Sequence, residues 1–276
     1  MAAKSDVTES VADLESLYNV EASFEYTGRD SLVPALRAFP ETKDIILDHT
    51  VLITKFPLQL FNIEDGDIAV IPFHGKALYF RDRRILIFTM KGSPHEILSR
   101  AIHDLLRAKL RKMYCHEDLI ASGGVIESLG NVNKQPDQSW GPKGVEYPTC
   151  VLEVGMEERE SIPALDRDAQ RWIENEPSHV TQVITAKIFP HRPEIIFALW
   201  QAKSHRQPVK KDEVHVKIRQ GQPRASNNRS LSVIFEKLFE RLPIPGSSES
   251  DVIFTAPELC SIALEVWEEI DLNRRG

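Results

Sequence analysis

Two acidic residues, Asp137 and Glu153, lie in stretches that are otherwise apolar or typical of β-strands. Alternation along the strand that contains Glu153 puts Val151, Glu153 and Gly155 on one face. A lone carboxylate is costly to bury unless it is paired or bound to a cation. Carboxylates on neighbouring strands offer oxygen ligands to Mg²⁺, which completes its shell with water and substrate phosphate. Such an ion can generate hydroxide and stabilise charge on phosphorus.

The elements that must position these carboxylates follow from hydrophobic periodicity and capping signals. A helix is predicted to begin with Ser93 as its N-cap, Pro94 in the first turn and Glu96 completing a capping box. The elements predicted after it are strands at 119–129, 134–140 and 149–156, a helix at 163–176, and strands at 180–189 and 194–202. The strand–helix–strand step predicts a parallel pair with a right-handed crossover. Leu165, Ala169, Trp172 and Ile173 are expected to face inward.

The flanking regions predict a β-rich extension before this core and helices after it. A short helix is expected at 7–18, and residues 24–91 are predicted to be β-rich, with strands at 44–54, 67–73 and 84–90. Helices are predicted at 231–242 and 257–270. We therefore divide the chain into an N-terminal β-rich subdomain, 1–91, and a second domain, 92–276, with C-terminal helical additions.

The residues at 93–200 resemble the PD-(D/E)XK nuclease superfamily, and most of all the fungal proteins with a nuclease-like domain. The resemblance depends on K-Q-P-D at 134–137, V-L-E-V-G at 151–155, D-A-Q-R-W at 168–172, and the order of elements around them. It implies a restriction-endonuclease-like α/β fold, with a mixed central sheet flanked by helices. It also implies that Asp137 and Glu153 bind Mg²⁺ or Mn²⁺, with Glu96 completing the site, in hydrolysis of DNA or RNA.

One position departs from the superfamily pattern. The lysine two residues after the glutamate, which positions the attacking water, is replaced here by Gly155. Lys187 on the next strand is the preferred substitute, and Lys134 and Arg171 are weaker ones. The departure leaves an alternative open, a catalytically inactive scaffold that binds nucleic acid or a protein partner. A purely protein-binding role, or a homodimer, is a third possibility.

Charge is segregated along the chain. The net charge is −7, from 34 basic and 41 acidic residues. Residues 203–229 contain eight Lys or Arg against two acids, a local balance of +6, which leaves the remainder at −13. This segment predicts contact with the phosphate backbone of nucleic acid. The residues predicted to make the contact are Lys203, Arg206, Lys210, Lys211, Lys217 and Arg219.

Several other function classes lack their motifs. The sequence has no phosphate-binding glycine loop, no G-x-S-x-G and no H-E-x-x-H, so nucleotide, serine-hydrolase and zinc-protease chemistry are not indicated. Three unpatterned cysteines favour a reducing compartment. No secretory signal and no run of 18 apolar residues is present, so we expect an intracellular protein of cytoplasm or nucleus that does not span a membrane.

Overall fold

The computed structural model describes residues 9–39, 46–61, 63–64, 67–68, 70–156, 162–226 and 229–275. Its helices are α1 (Val11–Leu17), α2 (Arg29–Ala38), α3 (Ser93–Lys112), α4 (Ile162–Glu174), α5 (Phe235–Phe239) and α6 (Ala256–Arg275). Its strands are β1 (Ala22–Glu25), β2 (His49–Thr54), β3 (Ile63–Glu64), β4 (Asp67–Ile68), β5 (Gly75–Phe80), β6 (Ile85–Met90), β7 (Leu119–Ala121), β8 (Glu127–Leu129), β9 (Val132–Lys134), β10 (Gln138–Pro142), β11 (Cys150–Met156), β12 (Gln182–Phe189), β13 (Glu194–Ala202), β14 (Pro208–Arg219), β15 (Gln222–Ala225), β16 (Leu231–Val233) and β17 (Val252–Phe254).

Two mixed sheets form the framework. The seven-stranded sheet has the order β15-β14-β13-β12-β11-β10-β7, and the six-stranded sheet has the order β1-β2-β6-β5-β9-β8. β11 and β12 are parallel, as predicted for strands joined through a helix, while β12, β13 and β14 are antiparallel neighbours. The predicted α/β class, with mixed sheets flanked by helices, is confirmed.

Helices cover both faces of the seven-stranded sheet. Leu152 and Val154 of β11 face a large core that includes residues of α3, α5 and α6. Val151, on the other face, packs with Trp172 and Ile173 of α4. β11 and β12 are therefore buried along their whole length, as expected for central strands with helices on both sides.

Helices also cover both faces of the six-stranded sheet, and one of them packs against the seven-stranded sheet as well. Tyr79 and Phe88 pack in the same core as Leu36 of α2. On the opposite face, Leu78 packs in a core with Leu14 of α1 and Ala164 of α4. Helix α4 therefore lies between the two sheets. Side chains on its opposite sides reach both of them.

The chain passes from one sheet to the other between α3 and α4. The stretch predicted as a strand at 119–129 is two strands, β7 in the seven-stranded sheet and β8 in the six-stranded sheet. The stretch predicted at 134–140 divides in the same way, into β9 and β10. Both predictions of one continuous strand were wrong, because the backbone leaves the strand at 122–126, where Gly123 has a positive φ, and at 135–137, and then continues in the other sheet. The six-stranded sheet thus contains strands from both sides of residue 92.

Several local predictions need correction. Residues 24–91 contain helix α2 and the unpredicted strands β1 and β5, and among the described residues of the predicted strand 67–73 only Asp67–Ile68 is strand. The predicted helix at 231–242 is wrong, because Leu231–Val233 pairs with β17 and α5 covers only Phe235–Phe239. The predicted helix at 7–18 and the predicted strand at 44–54 lie partly outside the described residues. Within the described residues, α1 covers Val11–Leu17 and β2 covers His49–Thr54.

The start of α3 differs from the predicted capping box. Gly92 is the N-cap residue and Ser93 is already helical, and no side-chain cap is made. A Cβ atom at Gly92 would lie 2.1 Å from the carbonyl oxygen of Ile46, so only glycine fits this close approach. No helix in the described part of the chain is long and apolar enough to cross a membrane.

Candidate functional site

The two carboxylates singled out from the sequence come together. Asp137 is not inside a strand as predicted but lies in the connection just before β10, where its backbone N–H donates to the carbonyl of Leu152. Glu153 lies in the middle of β11. Lys76 Nζ lies 2.9 Å from Asp137 Oδ2 and 2.8 Å from Glu153 Oε2. Both carboxylates are completely buried.

The bridging cation, Lys76, was not predicted. It lies on β5 of the six-stranded sheet and also donates to the carbonyl of Val154, at 3.1 Å. Burial by itself would lower the pKa of Lys76, but the charges of Asp137 and Glu153 outweigh it and raise the pKa well above its ordinary value. In the sequence, a strand at this position would place Lys76, Leu78 and Phe80 on one face and Ala77 and Tyr79 on the other. The adjacent His74-Gly75 pair indicated a turn and obscured this strand.

Asp137 is held by further donors. The backbone N–H of Val154 donates to Oδ2 at 2.7 Å, while His95 Nε2 and Lys91 Nζ lie 2.8 and 3.1 Å from Oδ1. Burial alone would raise the pKa of Asp137, but the charges of His95, Lys76 and Lys91 hold it well below its ordinary value. Asp137 is therefore an ionised carboxylate enclosed by positive groups.

Helix α3 presents His95, and not the predicted Glu96, to Asp137. His95 is wholly buried, with Nδ1 at 2.7 Å from Asp48 Oδ2. Burial lowers its pKa, but the charges of Asp137 and Asp48 outweigh this and raise the pKa to about 9. Consecutive helical residues point about 100° apart. Glu96 therefore points outward, with its side chain 54% exposed and Lys91 Nζ at 3.3 Å.

Glu153 is bound on its other oxygen by two groups from different elements. Trp172 Nε1 of α4 donates to Oε1 at 2.5 Å, and Lys134 Nζ of β9 lies 3.2 Å from the same atom. Lys134 also pairs with Asp168 at 2.8 Å. Asp168 and Trp172 are four residues apart and so share one side of α4. The D-A-Q-R-W motif at 168–172 therefore supports the site.

Asp168 extends the site towards α1. Tyr18 donates from its hydroxyl to Asp168 Oδ1 at 2.7 Å, and Arg171 contacts both Asp168 and the Tyr18 hydroxyl. Burial would raise the pKa of Asp168, but Lys134 and Arg171 lower it. We call the following set the buried charge cluster: Asp48, Lys76, His95, Lys134, Asp137, Glu153, Asp168 and Arg171. It contains four carboxylates and four cationic groups, with Lys91 and Glu96 at its margin.

Lys187, the predicted substitute lysine, is buried on β12. Its backbone is in register with Gly155, as Thr185 is with Glu153, so it lies on the same sheet face as Glu153. The cationic groups within 3.2 Å of the two carboxylates include Lys76, Lys91, Lys134 and His95. Of the weaker predicted substitutes, Lys134 contacts Glu153 directly, while Arg171 contacts Asp168.

The arrangement does not fit a divalent metal ion as it stands. Each of the four carboxylate oxygens of Asp137 and Glu153 already accepts from at least one N–H donor. Among the described residues, no group of three or more His, Cys, Asp or Glu side chains is placed to hold a metal. The adjacent cavity, lined by Gly155, Lys76 and Lys134 among others, measures about 30 Å³.

The predicted nucleic-acid contacts are on the long strand β14 and the turn before it, and half of them have protein partners. Arg206 donates to the carbonyls of Ile173 and Val180. Lys210 pairs with Asp166 and Glu213, and Lys217 with Glu194. Lys203, Lys211 and Arg219 are exposed and make no ion pair with the described residues. At the β14–β15 hairpin, Lys217, Arg219 and Arg224 line a surface cleft of about 290 Å³.

Comparison with known proteins gives one distant structural likeness. No protein-family model matches the sequence, and no curated protein matches it. One solved structure that resembles it is a candidate nuclease of the family DUF820 from Anabaena variabilis, with a TM-score of 0.41 and 10% sequence identity. The match covers 70% of this chain and 94% of that one. The function is therefore argued from the contacts of the site itself.

Proposed function

We propose that this chain is a nuclease-like scaffold that binds nucleic acid without hydrolysing it. The observation that carries the proposal is the position of Lys76 Nζ, which lies between Asp137 and Glu153 where the resemblance implies a metal ion. Two further features support it. The carboxylates are completely buried, and each of their four oxygens already accepts from an N–H donor.

The binding surface in this proposal is the β14–β15 hairpin. Lys217, Arg219 and Arg224 line one cleft there, and Lys211 is exposed on the same long strand. The rest of the chain is strongly acidic, so non-specific attraction of nucleic acid by the whole surface is not expected. Contact with phosphates would therefore be local, and would weaken steeply as salt is added.

A second candidate is the metal-dependent nuclease itself. The convergence of Asp137 and Glu153, from neighbouring β-elements, on one cationic atom favours it. Mg²⁺ or Mn²⁺ binding stays a prediction, and it requires Lys76 to leave the carboxylates. The resemblance to fungal nuclease-like proteins and a location in the cytoplasm or nucleus likewise stay proposals.

A cleavage assay separates the two candidates. Purified protein is incubated with plasmid DNA and with single-stranded RNA, in Mg²⁺ and in Mn²⁺, beside Asp137→Asn and Glu153→Gln. The proposal predicts no cleavage by any of the three proteins. Metal-dependent cleavage that the wild type shows and both variants lack would establish the nuclease instead. Cleavage shared by all three would point to a contaminant.

Binding is measured by fluorescence anisotropy with labelled DNA and RNA oligonucleotides over a salt series. We expect Arg219→Glu with Arg224→Glu to weaken binding and flatten the salt dependence. The matched control is Arg111→Glu with Lys112→Glu, the same charge change on exposed residues of α3. Equal weakening by both pairs would mean that only net charge matters. No binding by the wild type would leave a protein-binding role or a homodimer.

A further inference from the structure

The environment of the Lys76 ammonium is that of a bound cation. Its nitrogen lies 2.9 Å from Asp137 Oδ2, 2.8 Å from Glu153 Oε2 and 3.1 Å from the carbonyl oxygen of Val154. An ammonium has three N–H donors and no acceptor. All three donors are therefore used, and two carboxylates and a carbonyl converge on one point. These are also the ligand types that hard divalent cations prefer.

Resting on the proposed function, we propose that Lys76 is the resident cation of this oxygen site. In the wild type its ammonium keeps divalent metals out, and its removal converts the same three oxygens into a divalent metal site. The disagreement between the metal implied by the resemblance and the charges found in the structure thus centres on one lysine of the six-stranded sheet, which occupies the point where the three oxygens converge.

Lys76 is held in this position by the fold. β5 pairs with both β6 and β9, which fixes the register of Lys76 opposite Thr89. The face of β5 that includes Lys76 and Leu78 is directed towards α4, and Leu78 packs with Ala164. The lysine side chain is only 12% exposed. A metal ion would have to compete with this ammonium for the same oxygens, at a distance where like charges repel strongly.

Charge and space both favour a metal once the lysine is gone. Losing Lys76 removes one positive charge from beside Asp137 and Glu153, and it leaves Glu153 Oε2 without the ammonium that donates to it. Truncation to alanine also removes three methylenes and the ammonium beside the existing cavity of about 30 Å³. A divalent ion that keeps several waters, as Mg²⁺ and Mn²⁺ do, would occupy that space.

The test uses Tb³⁺ luminescence sensitised by tryptophan, because Trp172 Nε1 bonds Glu153 directly at 2.5 Å. Full-length wild type, Lys76→Ala, and Lys76→Ala combined with Asp137→Asn are titrated with Tb³⁺, followed by competition with Mn²⁺. We expect Lys76→Ala to bind at least about tenfold more tightly than the other two, with a Kd on the order of 10⁻⁴ to 10⁻³ M, typical of weak oxygen-ligand sites.

Two matched variants separate the effect of the lost charge from that of the space created, and from the effect of losing any buried lysine. Lys76→Met removes the charge but keeps the volume, so it should bind little metal. Lys109→Ala breaks an ion pair with a single carboxylate, Glu258, and should bind none at that place. Emission from surface carboxylates appears equally in all variants and is subtracted with the double variant.

Two results would overturn the inference. One is wild-type Tb³⁺ emission that Asp137→Asn abolishes; the other is a folded Lys76→Ala that binds no better than its double variant. If Lys76→Ala is unfolded without metal, circular dichroism is recorded with added Mn²⁺. Recovery of the fold supports the inference, and failure to recover counts against it. Nucleic-acid binding by the wild type, measured separately, tests the proposed function alone, since its absence would leave this inference standing.

Discussion

The imidazolium of His95 makes this protein less stable at alkaline pH. The ring lies between Asp48 and Asp137, and their charges raise its pKa to about 9 against the burial that lowers it. Because the pKa in the folded state is above the unfolded value of about 6.5, the proton stabilises the fold. This contribution is complete below about pH 6.5. It is lost as the pH rises through about 9.

The size of the effect follows from the two pKa values. A pKa difference from about 6.5 to about 9, at about 1.4 kcal/mol per pH unit, corresponds to about 3 kcal/mol of unfolding free energy. Above pH 9 the neutral ring keeps one N–H, so it can donate to only one of the two carboxylates. The other is left buried with one donor fewer, and the junction between α3 and the two sheets is expected to loosen.

Urea denaturation at pH 6, 7.5, 9 and 10 measures this contribution. We expect the difference in unfolding free energy between the wild type and His95→Gln to shrink by about 3 kcal/mol from pH 6 to pH 10. His103→Gln is the matched control on the same helix, since burial lowers the pKa of His103 and its proton linkage ends below pH 7. If the wild type and His95→Gln lose stability in parallel from pH 7.5 to pH 10, the assignment of His95 as a buried imidazolium is refuted.

Three further outcomes are expected. Lys134→Met, which leaves both of its buried carboxylate partners without this cation, should cost about 3–5 kcal/mol in urea denaturation, and a loss under 1 kcal/mol would contradict the pairing. Gly92→Ala should lower the stability by about 1–3 kcal/mol, because the new Cβ meets the Ile46 carbonyl oxygen; an unchanged melting temperature would show that this approach is not close. Because neighbouring cations lower the pKa of Asp137 and of Asp168 against the burial that raises it, stability should be complete above about pH 4 and fall as the pH drops further. Asp168→Asn should show a shallower fall in acid, and an identical acid profile would argue against a charged Asp168.

Local sequence patterns were enough to predict the three central strands β11, β12 and β13 and the helices α3, α4 and α6. The alternation around Glu153 correctly separated Val151 from Leu152 and Val154, because strand geometry sends consecutive side chains to opposite faces wherever the strand lies. The inward set of α4, including Trp172, was confirmed for the same kind of reason. Apolar residues on one side of a helix recur every three or four positions, so the sequence indicates which side is buried.

Only the tertiary structure decided which cations meet the carboxylates. Lys76 is 61 positions from Asp137 and 77 from Glu153 in the sequence, and it reaches them from a different sheet. The choice of His95 over Glu96 likewise depended on how α3 is rotated against Asp48. Periodicity reports the face of one element, while the pairing of buried charges depends on which elements face each other. The sequence by itself therefore determined where the acids are, and the packing of two sheets around α4 determined that Lys76 contacts both of them.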